Sequence, residues 1–411
     1  MLDIEAPNVN SPRMRHAGKG LLSLALMDAR NHTLRWMAAY EEALAASNLQ
    51  VPMSPELNPP LWELGHLGWF QEWWIARNVQ RQRGSASDPT IPRLASIEHH
   101  ADRWYDSSNV RHESRWQLDT PDLLSTKQYL AETMDVTLEL LEGCDETDEA
   151  LYFYRLALFH EDMHGEAFAH MAQTLGLNLP DSKALMRPLT THAPREPLLF
   201  PATRWSLGSA PGGFVFDNEK WGHEVAVPEF EIDAQPLTWA QYGEFVEDGG
   251  YDEESFWSVP AWAWLQSQGR RTPRHVDQMR QGVLQQRFGR LTRVPLSQPV
   301  THVSFYEAEA WCRWAGRRLP TEVEWEVAAH AGVSRGFRWG DVWEWTASTF
   351  RPYPGFSPDP YLDYSQPWFG NHKVLRGASF ATRERMRHPK YRNFYLPWRD
   401  DVFSGFRSCA A

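Results

Sequence analysis

The chain has 411 residues, enough for two domains, and its 42% apolar and 23% charged residues are typical of a globular protein rather than a disordered or fibrous one. Lysine and arginine number 41 against 53 acidic residues, and the resulting net charge of −12 argues against sequence-independent nucleic-acid binding. Three widely spaced cysteines form no disulfide framework, which favours a reducing cytoplasm, and no uncharged apolar run reaches the ~18 residues that span a membrane.

The first part of the chain is predicted to be helical. Apolar residues recur at helical spacing in four segments, and Pro59-Pro60 opens the second because proline is tolerated in a first helical turn. Four amphipathic helices with one long connection predict a four-helix bundle over residues 1–185, a fold that holds metal sites between facing helices. The predicted helices are Leu21–Ala46, Leu61–Gln80, Leu123–Glu142 and Glu149–Leu175.

The second part has a different pattern of apolar and turn residues. Residues 186–200 are rich in proline, which is typical of a linker. Residues 201–411 then predict a loop-rich α+β domain, because short apolar stretches alternate with turn residues. The apolar stretches are 214–217, 225–232 and 373–380, and the predicted helices are Trp239–Asp248 and Phe305–Ala315.

The fourth predicted helix carries a candidate metal site. His160 and His164 are four residues apart, so both imidazoles lie on one helical face and can reach a single ion. With Glu161 the segment also spells HExxH, the zinc-protease signature in which the glutamate is the general base. A zinc hydrolase is therefore one alternative.

The longer metalloprotease pattern is incomplete, although His170 occupies the position of its third ligand. That pattern needs a glycine three residues after the second histidine, where this chain has Ala167 in a stretch that favours helix. On a continuous helix His170 lies about 240° round from His164. We therefore expect His170 to stay outside the metal site.

His66, on the second predicted helix, is the candidate third ligand. A lone histidine among apolar neighbours is ordinarily a core residue with one hydrogen bond, but a bundle that already carries an HxxxH pair favours a ligand. Three neutral imidazoles leave positions open on one side of the ion, as a redox metal that binds substrate and O2 together requires.

These segments resemble the iron-dependent ergothioneine synthases (sulfoxide synthases) and their close relatives, the selenoneine synthases. Asn58-Pro-Pro-Leu-Trp-Glu-Leu-Gly-His66 and the pair His160 and His164 match the motifs of that family's DinB-like helical bundle. The resemblance implies that the three histidines hold iron(II) and that O2 is a co-substrate.

The second part resembles the formylglycine-generating-enzyme (sulfatase-modifying-factor) domain, which has a C-type-lectin-like fold. In true formylglycine-generating enzymes a cysteine pair performs the oxidation, whereas the matching positions here are Thr382 and Arg387. The reaction centre is therefore expected at the iron of the bundle. The matching segments are Phe216-Asp-Asn-Glu, Pro299-Val-Thr-His-Val-Ser, Arg318-Leu-Pro-Thr-Glu-Val-Glu-Trp-Glu, Asp341-Val-Trp-Glu-Trp-Thr, Arg376-Gly-Ala-Ser-Phe and Gly405-Phe-Arg.

The family's reaction joins sulfur or selenium to C2 of the imidazole of hercynine, the trimethylammonium betaine of histidine. A quaternary ammonium has no N–H to donate, so aromatic faces must hold it. By resemblance the aromatic segment 391–399 closes over the metal, and the alternative is that its rings pack the domain edge. The residues implied for hercynine are Asn393, Phe394, Tyr395 and Trp398, and Arg399 is implied for the second substrate.

Two departures from the family concern the second substrate. Members that take γ-glutamylcysteine carry Asn-Trp-Asp where this chain has Asn393-Phe394-Tyr395, and glutamine where it has Met163. The aspartate that grips the dipeptide is missing, which favours free cysteine or a selenosugar. Because Glu161-Asp-Met-His-Gly-Glu-Ala-Phe resembles the selenoneine branch, we predict a selenoneine synthase that takes a selenosugar. An ergothioneine sulfoxide synthase that takes cysteine or γ-glutamylcysteine is the alternative.

Three more site residues follow from the resemblance. Arg111 and Arg115 match the arginines that the family's bundle loop turns toward the second substrate, although exposed loop arginines usually only face solvent. Ergothioneine-forming members use a tyrosine as proton donor on the loop after the Val-Trp-Glu-Trp-Thr motif. Tyr353, Tyr361 and Tyr364 lie there, and we select Tyr353.

The sequence thus predicts a cytoplasmic iron(II) enzyme that acts on small molecules, with no nucleic-acid or membrane partner. Its active site is expected where the two parts of the chain meet. A non-enzymatic binding module is a further alternative, because lectin-like folds often only recognise ligands.

Overall fold

The computed structural model describes residues 8–179, 182–279 and 281–411, and it contains helices in both parts of the chain and strands in the second part. Its α-helices are α1 (Lys19–Ala43), α2 (Pro60–Gln71), α3 (Ala101–Tyr105), α4 (Leu123–Glu142), α5 (Asp148–Leu175), α6 (Ser182–Leu185), α7 (Trp239–Glu247), α8 (Val259–Gln268), α9 (Phe305–Trp314) and α10 (Glu322–Ala331). Its strands are β1 (Leu198–Phe200), β2 (Thr203–Leu207), β3 (His223–Val227), β4 (Phe230–Ile232), β5 (Val276–Gln278), β6 (Val283–Arg287), β7 (Arg290–Val294), β8 (Arg317–Arg318), β9 (Trp343–Thr349), β10 (Lys373–Gly377), β11 (Asn393–Tyr395), β12 (Ser404–Phe406) and β13 (Cys409–Ala410).

Helices α1, α2, α4 and α5 pack into the predicted four-helix bundle. Helix α4 has the predicted bounds, and α5 begins one residue early because the Thr147 side chain caps its first turn. It ends at Gly176, whose φ of 65° is the left-handed conformation that glycine adopts without strain. Helix α2 continues as a π-helical turn over Glu72–Ala76, so the second helix stops short of its predicted end.

The second part of the chain is built from four small sheets. The two four-stranded sheets have the orders β1-β4-β13-β8 and β11-β10-β9-β12; β12 runs parallel to β9, and the other neighbours are antiparallel. Strands β2 and β3 pair in a separate sheet, and β5, β6 and β7 form an antiparallel three-stranded sheet. The mixed α and α+β fold class is confirmed.

Some predicted elements differ in the second part. The stretch 214–217 is not a strand, because Phe214 and Phe216 pack on Phe159 of α5 instead of joining a ladder. Helices α8 and α10 were not predicted. Helix α8 buries only Ala261 and Leu265 and therefore has little amphipathic signal.

Helix α5 contacts both parts of the molecule and positions the site. One face packs in the bundle, and another pairs with the second part, as in the buried ion pair of Asp162 with Arg385. Strand β1, from the end of the predicted linker, pairs with β4. The division at 1–185, 186–200 and 201–411 stays a prediction. Among the described helices, none has both the length and the apolar character needed to cross a bilayer.

Candidate metal centre

Three histidines from two helices converge between α2 and α5. His66 of α2 and His160 and His164 of α5 each offer a ring nitrogen, and these atoms all lie within 4.8 Å of one another. The Nε2 atoms of His160 and His164 are 3.1 Å apart. Imidazole nitrogens in this arrangement suit a single transition-metal ion with positions left open for other ligands.

Each ring is held from behind. His66 Nδ1 lies 2.8 Å from the Tyr105 carbonyl oxygen, which requires the hydrogen on Nδ1 and leaves Nε2 free to bind a metal. His164 Nδ1 lies 2.5 Å from Glu63 Oε1 and is oriented in the same way. The His160 ring stacks on Phe70 with centroids 3.5 Å apart and planes 3° from parallel.

The electrostatics keep these rings in the form that binds metals. Burial and the neighbouring His164 lower the pKa of His66 to about 3, and burial also holds the pKa of His160 well below its usual value. Burial alone would raise the pKa of Glu63, but His164 and His66 bring it down to about 2. His66 and His160 are therefore neutral, and the Glu63 carboxylate is ionised.

A chain of hydrogen bonds leads from this site to the predicted Arg115. Arg115 Nη1 donates to Asn58 Oδ1 at 2.8 Å, and Asn58 Nδ2 donates to Glu63 Oε2 at 2.8 Å. The guanidinium carbon of Arg115 lies 3.9 Å from the centroid of the Trp62 ring, and burial lowers its pKa. Arg111, in contrast, is exposed.

A cavity of about 110 Å³ lies where α5 meets the second part, and its wall includes Met163, the residue before His164. It contains the predicted residues Met163, Asn393 and Tyr395, and Tyr391 donates its hydroxyl hydrogen to Met163 Sδ at 3.3 Å. Glu166, His170 and Trp343 also line this cavity. His170 lies outside the histidine cluster, as the helical phase predicts.

Glu166 is a residue of the cavity wall that the sequence motifs did not identify. Its carboxylate is buried in the wall of the cavity and accepts hydrogen bonds from Trp343 Nε1 at 2.8 Å, Ser379 Oγ at 2.5 Å and Thr382 Oγ1 at 2.6 Å. Burial raises its pKa. These partners are far away in sequence, so no local signal identifies them.

The remaining residues of segment 391–399 have mixed surroundings. Phe394 stacks on Phe350 with centroids 4.1 Å apart, which is packing, and Trp398 is 46% exposed. Arg399 Nη2 donates to Asp401 Oδ2 at 2.6 Å, and its guanidinium lies over the Tyr395 ring.

The three tyrosines after the Val-Trp-Glu-Trp-Thr motif differ in position. The Tyr353 hydroxyl donates to Glu322 Oε2 at 3.2 Å beneath the Arg392 guanidinium. The Tyr361 ring faces His160, with centroids 6.3 Å apart. The Tyr364 hydroxyl donates to the Tyr391 hydroxyl at 3.3 Å.

Glu161, the general base of the zinc-hydrolase alternative, is turned away from the histidines. Arg30 Nε donates to Glu161 Oε1 at 2.8 Å, and the Thr33 hydroxyl donates to the same oxygen at 2.8 Å. All three residues are buried. A carboxylate occupied in this way is badly placed to activate a metal-bound water.

Three carboxylates also gather beside segment 391–399, with oxygens of Glu56, Asp400 and Asp401 within 4.8 Å of one another. Each has an arginine partner: Arg274 binds Glu56 and Asp400, and Arg399 binds Asp401. The ion pairs account for this cluster without a cation.

Comparison with known proteins agrees with the fold. The family described as "Sulfatase-modifying factor enzyme 1-like domain" matches residues 183–341. Hercynine oxygenase of Mycolicibacterium smegmatis is 32% identical over 92% of this chain and 96% of its own length, and that of Mycobacterium tuberculosis is 30% identical over 94% and 97%. The formylglycine-generating enzyme of Streptomyces coelicolor is 27% identical over 51% of this chain and 83% of its own.

A helical bundle with a three-histidine cluster, joined to a sulfatase-modifying-factor domain, defines an oxygen-dependent enzyme of the ergothioneine-synthase type. The chain belongs to the hercynine oxygenase family. The resemblance inferred from the motifs and the prediction of an enzyme are therefore confirmed, and the binding-module alternative is set aside.

Proposed function

We propose that this enzyme uses iron(II) and O2 to join the selenium of a selenosugar to C2 of the hercynine imidazole. The C2–H and Se–H bonds break, a C2–Se bond and a selenium–oxygen bond form, and O2 takes up four electrons to give the oxide oxygen and one water. The observation that carries the proposal is the convergence of three imidazoles, backed by Tyr105 and Glu63, beside an aromatic cavity.

The donor set fits iron(II). His66, His160 and His164 would hold the ion through ring nitrogens, and three protein ligands would leave positions for other ligands. Iron bound there would supply the O2 and one-electron chemistry that amino-acid side chains lack. The protein's own residues hold the two substrates beside it, where proximity contributes much of the rate.

The aromatic cavity suits the trimethylammonium group of hercynine. Trp343, Tyr391 and Tyr395 present ring faces, and the Glu166 carboxylate lies among them. A cation held there would stabilise the ionised form of Glu166 and gain cation–π attraction from the rings. The cavity has a volume of about 110 Å³, the scale of a small head group.

The ion pairs beside segment 391–399 favour an uncharged donor such as a selenosugar. Arg274 and Arg399 are already neutralised by Glu56, Asp400 and Asp401, so they offer little to the two carboxylates of γ-glutamylcysteine. Free cysteine is the second candidate, because it lacks the second carboxylate of the dipeptide.

We propose Tyr361 rather than Tyr353 as the proton donor. Its ring lies against both His160 and Phe70, and its hydroxyl has no hydrogen-bond partner among the described residues, whereas the Tyr353 hydroxyl is bound to Glu322. Tyr361→Phe should slow the reaction about 100-fold, as loss of a general acid does. Tyr353→Phe should leave the rate within about threefold, and the opposite order would restore Tyr353.

The central experiment identifies the donor. Protein loaded with iron(II) is exposed to air with hercynine and, in parallel, a sugar selenol, cysteine or γ-glutamylcysteine, and the products are weighed by mass spectrometry. We expect the selenosugar product, with the mass of both substrates plus one oxygen minus two hydrogens. If the dipeptide alone reacts, the donor assignment is wrong.

Two histidine variants control for the metal. His66→Ala should lose both bound iron and product, whereas His99→Ala, on the exposed connection, should keep both. Iron retained in full by His66→Ala would contradict the proposed ligand set.

A further inference from the structure

A second cavity, of about 340 Å³, lies away from the histidines. It is bounded by the end of α5 at Gln173, the chain from 183 to 189, and strands β6 and β7. Gln173 follows His164 by nine residues on a continuous helix, so the two are about 14 Å apart along the axis. The volume is that of a small-molecule site.

The wall of this cavity is positively charged in a protein whose net charge is −12. Its cationic residues are Lys183, Arg187, Arg287 and Arg290, and its described lining includes no aspartate or glutamate. Arg187 and Arg290 are partly engaged elsewhere, with Glu384 and Asn178. Arg287 is not.

The Arg287 guanidinium is held in place by one hydrogen bond but has a second nitrogen without a partner among the described residues. Its Nε donates to Gln285 Oε1 at 2.8 Å, and Gln285 Nε2 in turn donates to Thr301 Oγ1 at 3.1 Å. These two hydrogen bonds fix the orientation of the guanidinium group. Its Nη2 is buried without a hydrogen-bond partner among the described residues. Burial lowers the pKa of Arg287 to about 10, and no carboxylate offsets that effect. A buried, unpaired donor of this kind is costly unless an anion satisfies it.

Two further features of the cavity indicate the chemistry of a ligand that would fit it. Gln298 Oε1 is buried without a donor, while its Nε2 donates to the Leu189 carbonyl oxygen at 2.9 Å. The amide orientation is thereby set, so the ligand must bring an O–H or N–H. Apolar side chains form much of the remaining wall, including Phe288, Phe380 and Phe403.

We propose that this cavity is a binding site for a small organic anion that carries one carboxylate or phosphate, an apolar or aromatic body, and a hydrogen-bond donor. The anion pairs with Arg287, the donor satisfies Gln298, and the body packs on the phenylalanine rings. The site is distinct from the metal centre and independent of the function proposed for it.

Titration calorimetry on the full chain tests the proposal with three probes: 4-hydroxybenzoate for a carboxylate, 4-hydroxyphenyl phosphate for a phosphate, and 4-hydroxybenzamide as the uncharged match of the first. We expect at least one anion to bind with one-to-one stoichiometry and the amide to bind at least tenfold more weakly. The stronger of the two anions identifies the charged group.

Three variants locate the binding. Arg287→Met should weaken the anion at least tenfold, Arg287→Lys should recover part of the loss, and Arg293→Met, an exposed arginine of the same hairpin outside the cavity, should change nothing. Melting curves and iron content of the variants report whether they fold. The proposal is overturned if neither anion binds, if the amide binds as well as the anions, or if folded Arg287→Met binds them like the parent.

Discussion

At the scale of single residues, His164 depends on one neighbour more than the other two histidines do. Its side chain is 20% exposed, yet Glu63 behind it is 1% exposed and is tied to Asn58. A buried carboxylate that receives the Nδ1 hydrogen fixes the tautomer and raises the basicity of Nε2. The metal affinity of the site is therefore set partly by a residue that would never touch the ion.

Replacing Glu63 by glutamine tests this dependence. Glu63→Gln keeps the shape but removes the charge, so we expect iron(II) affinity to fall about tenfold to 100-fold. Competition with a chelator measures it. Glu56→Gln, which alters a carboxylate paired with Arg274 instead, should leave the affinity unchanged. Equal affinities in all three proteins would show that Glu63 does not orient the ligand.

Asp217 gives the protein a dependence on pH. Burial raises the pKa of Asp217 from 3.8 to about 6; Oδ1 accepts a hydrogen bond from Ser365, and Oδ2 has no partner in the described structure. The folded state binds the Asp217 proton more tightly than the unfolded chain does. The free energy of unfolding therefore falls as pH rises from 3.8 to about 6, and the loss is complete above that pH.

Asp217→Asn should remove that penalty. We expect the variant to be more stable than the parent by roughly 2 kcal/mol at pH 7.5, and the difference to shrink toward zero at pH 4. Urea unfolding at both pH values measures it. A difference that does not change with pH would mean that Asp217 ionises normally in the folded protein.

At the scale of elements, the approach of α2 to α3 governs the position of His66. An added Cβ at Gly65 would lie 2.2 Å from the Tyr105 ring, and the carbonyl oxygen of Tyr105 is the acceptor that orients His66. Gly65 is thus required for close packing and for the geometry of the ligand next to it.

Gly65→Ala should therefore destabilise the fold by about 1–3 kcal/mol, as overpacking does, and weaken metal binding as well. Gly20→Ala is the matched control, because a Cβ there meets nothing within 4 Å, and it should be neutral or stabilising. Denaturant unfolding and metal titration report the two effects. A Gly65→Ala protein that binds iron normally would separate helix packing from ligand geometry.

The elements also show which features a sequence can reveal. Helix α4 was predicted to the residue because its apolar periodicity is strong, and α10 was missed although Thr321 and Glu324 form a capping box that the sequence displays. The histidine cluster was found through local spacing and a motif. Glu63 as the partner of His164 could not be found in this way, because the contact joins residues 101 positions apart.

At the scale of the whole molecule, buried ion pairs join the bundle to the second part. Arg385 is fully buried and pairs with Asp162 of α5 at 2.6 Å and with Asp28 of α1 at 2.8 Å. Arg15 likewise pairs with Glu219 at 2.6 Å. Such contacts make the two parts interdependent, so we expect them to unfold together.

Arg385→Met tests this coupling. Removing one partner leaves Asp162 buried and uncompensated, so the free energy of unfolding should fall by about 3 kcal/mol or more. Arg204→Met, which breaks an exposed pair with Glu224, should change it by less than about 1 kcal/mol. Calorimetry should show one transition in the parent protein. Two separate transitions there would contradict the expected coupling.

Helix α5 carries both His164 and Glu166, which are two positions apart. Along the helix axis the two residues are about 3 Å apart, and they are rotated by about 200°, so their side chains leave the helix on different faces in a fixed relation. Small movements at the interface would change the width of the entrance but would not change the relative positions of these two residues on the helix. In the proposed function, the histidine ligands and the Glu166 contact to the cationic head group are therefore supplied by one rigid helix.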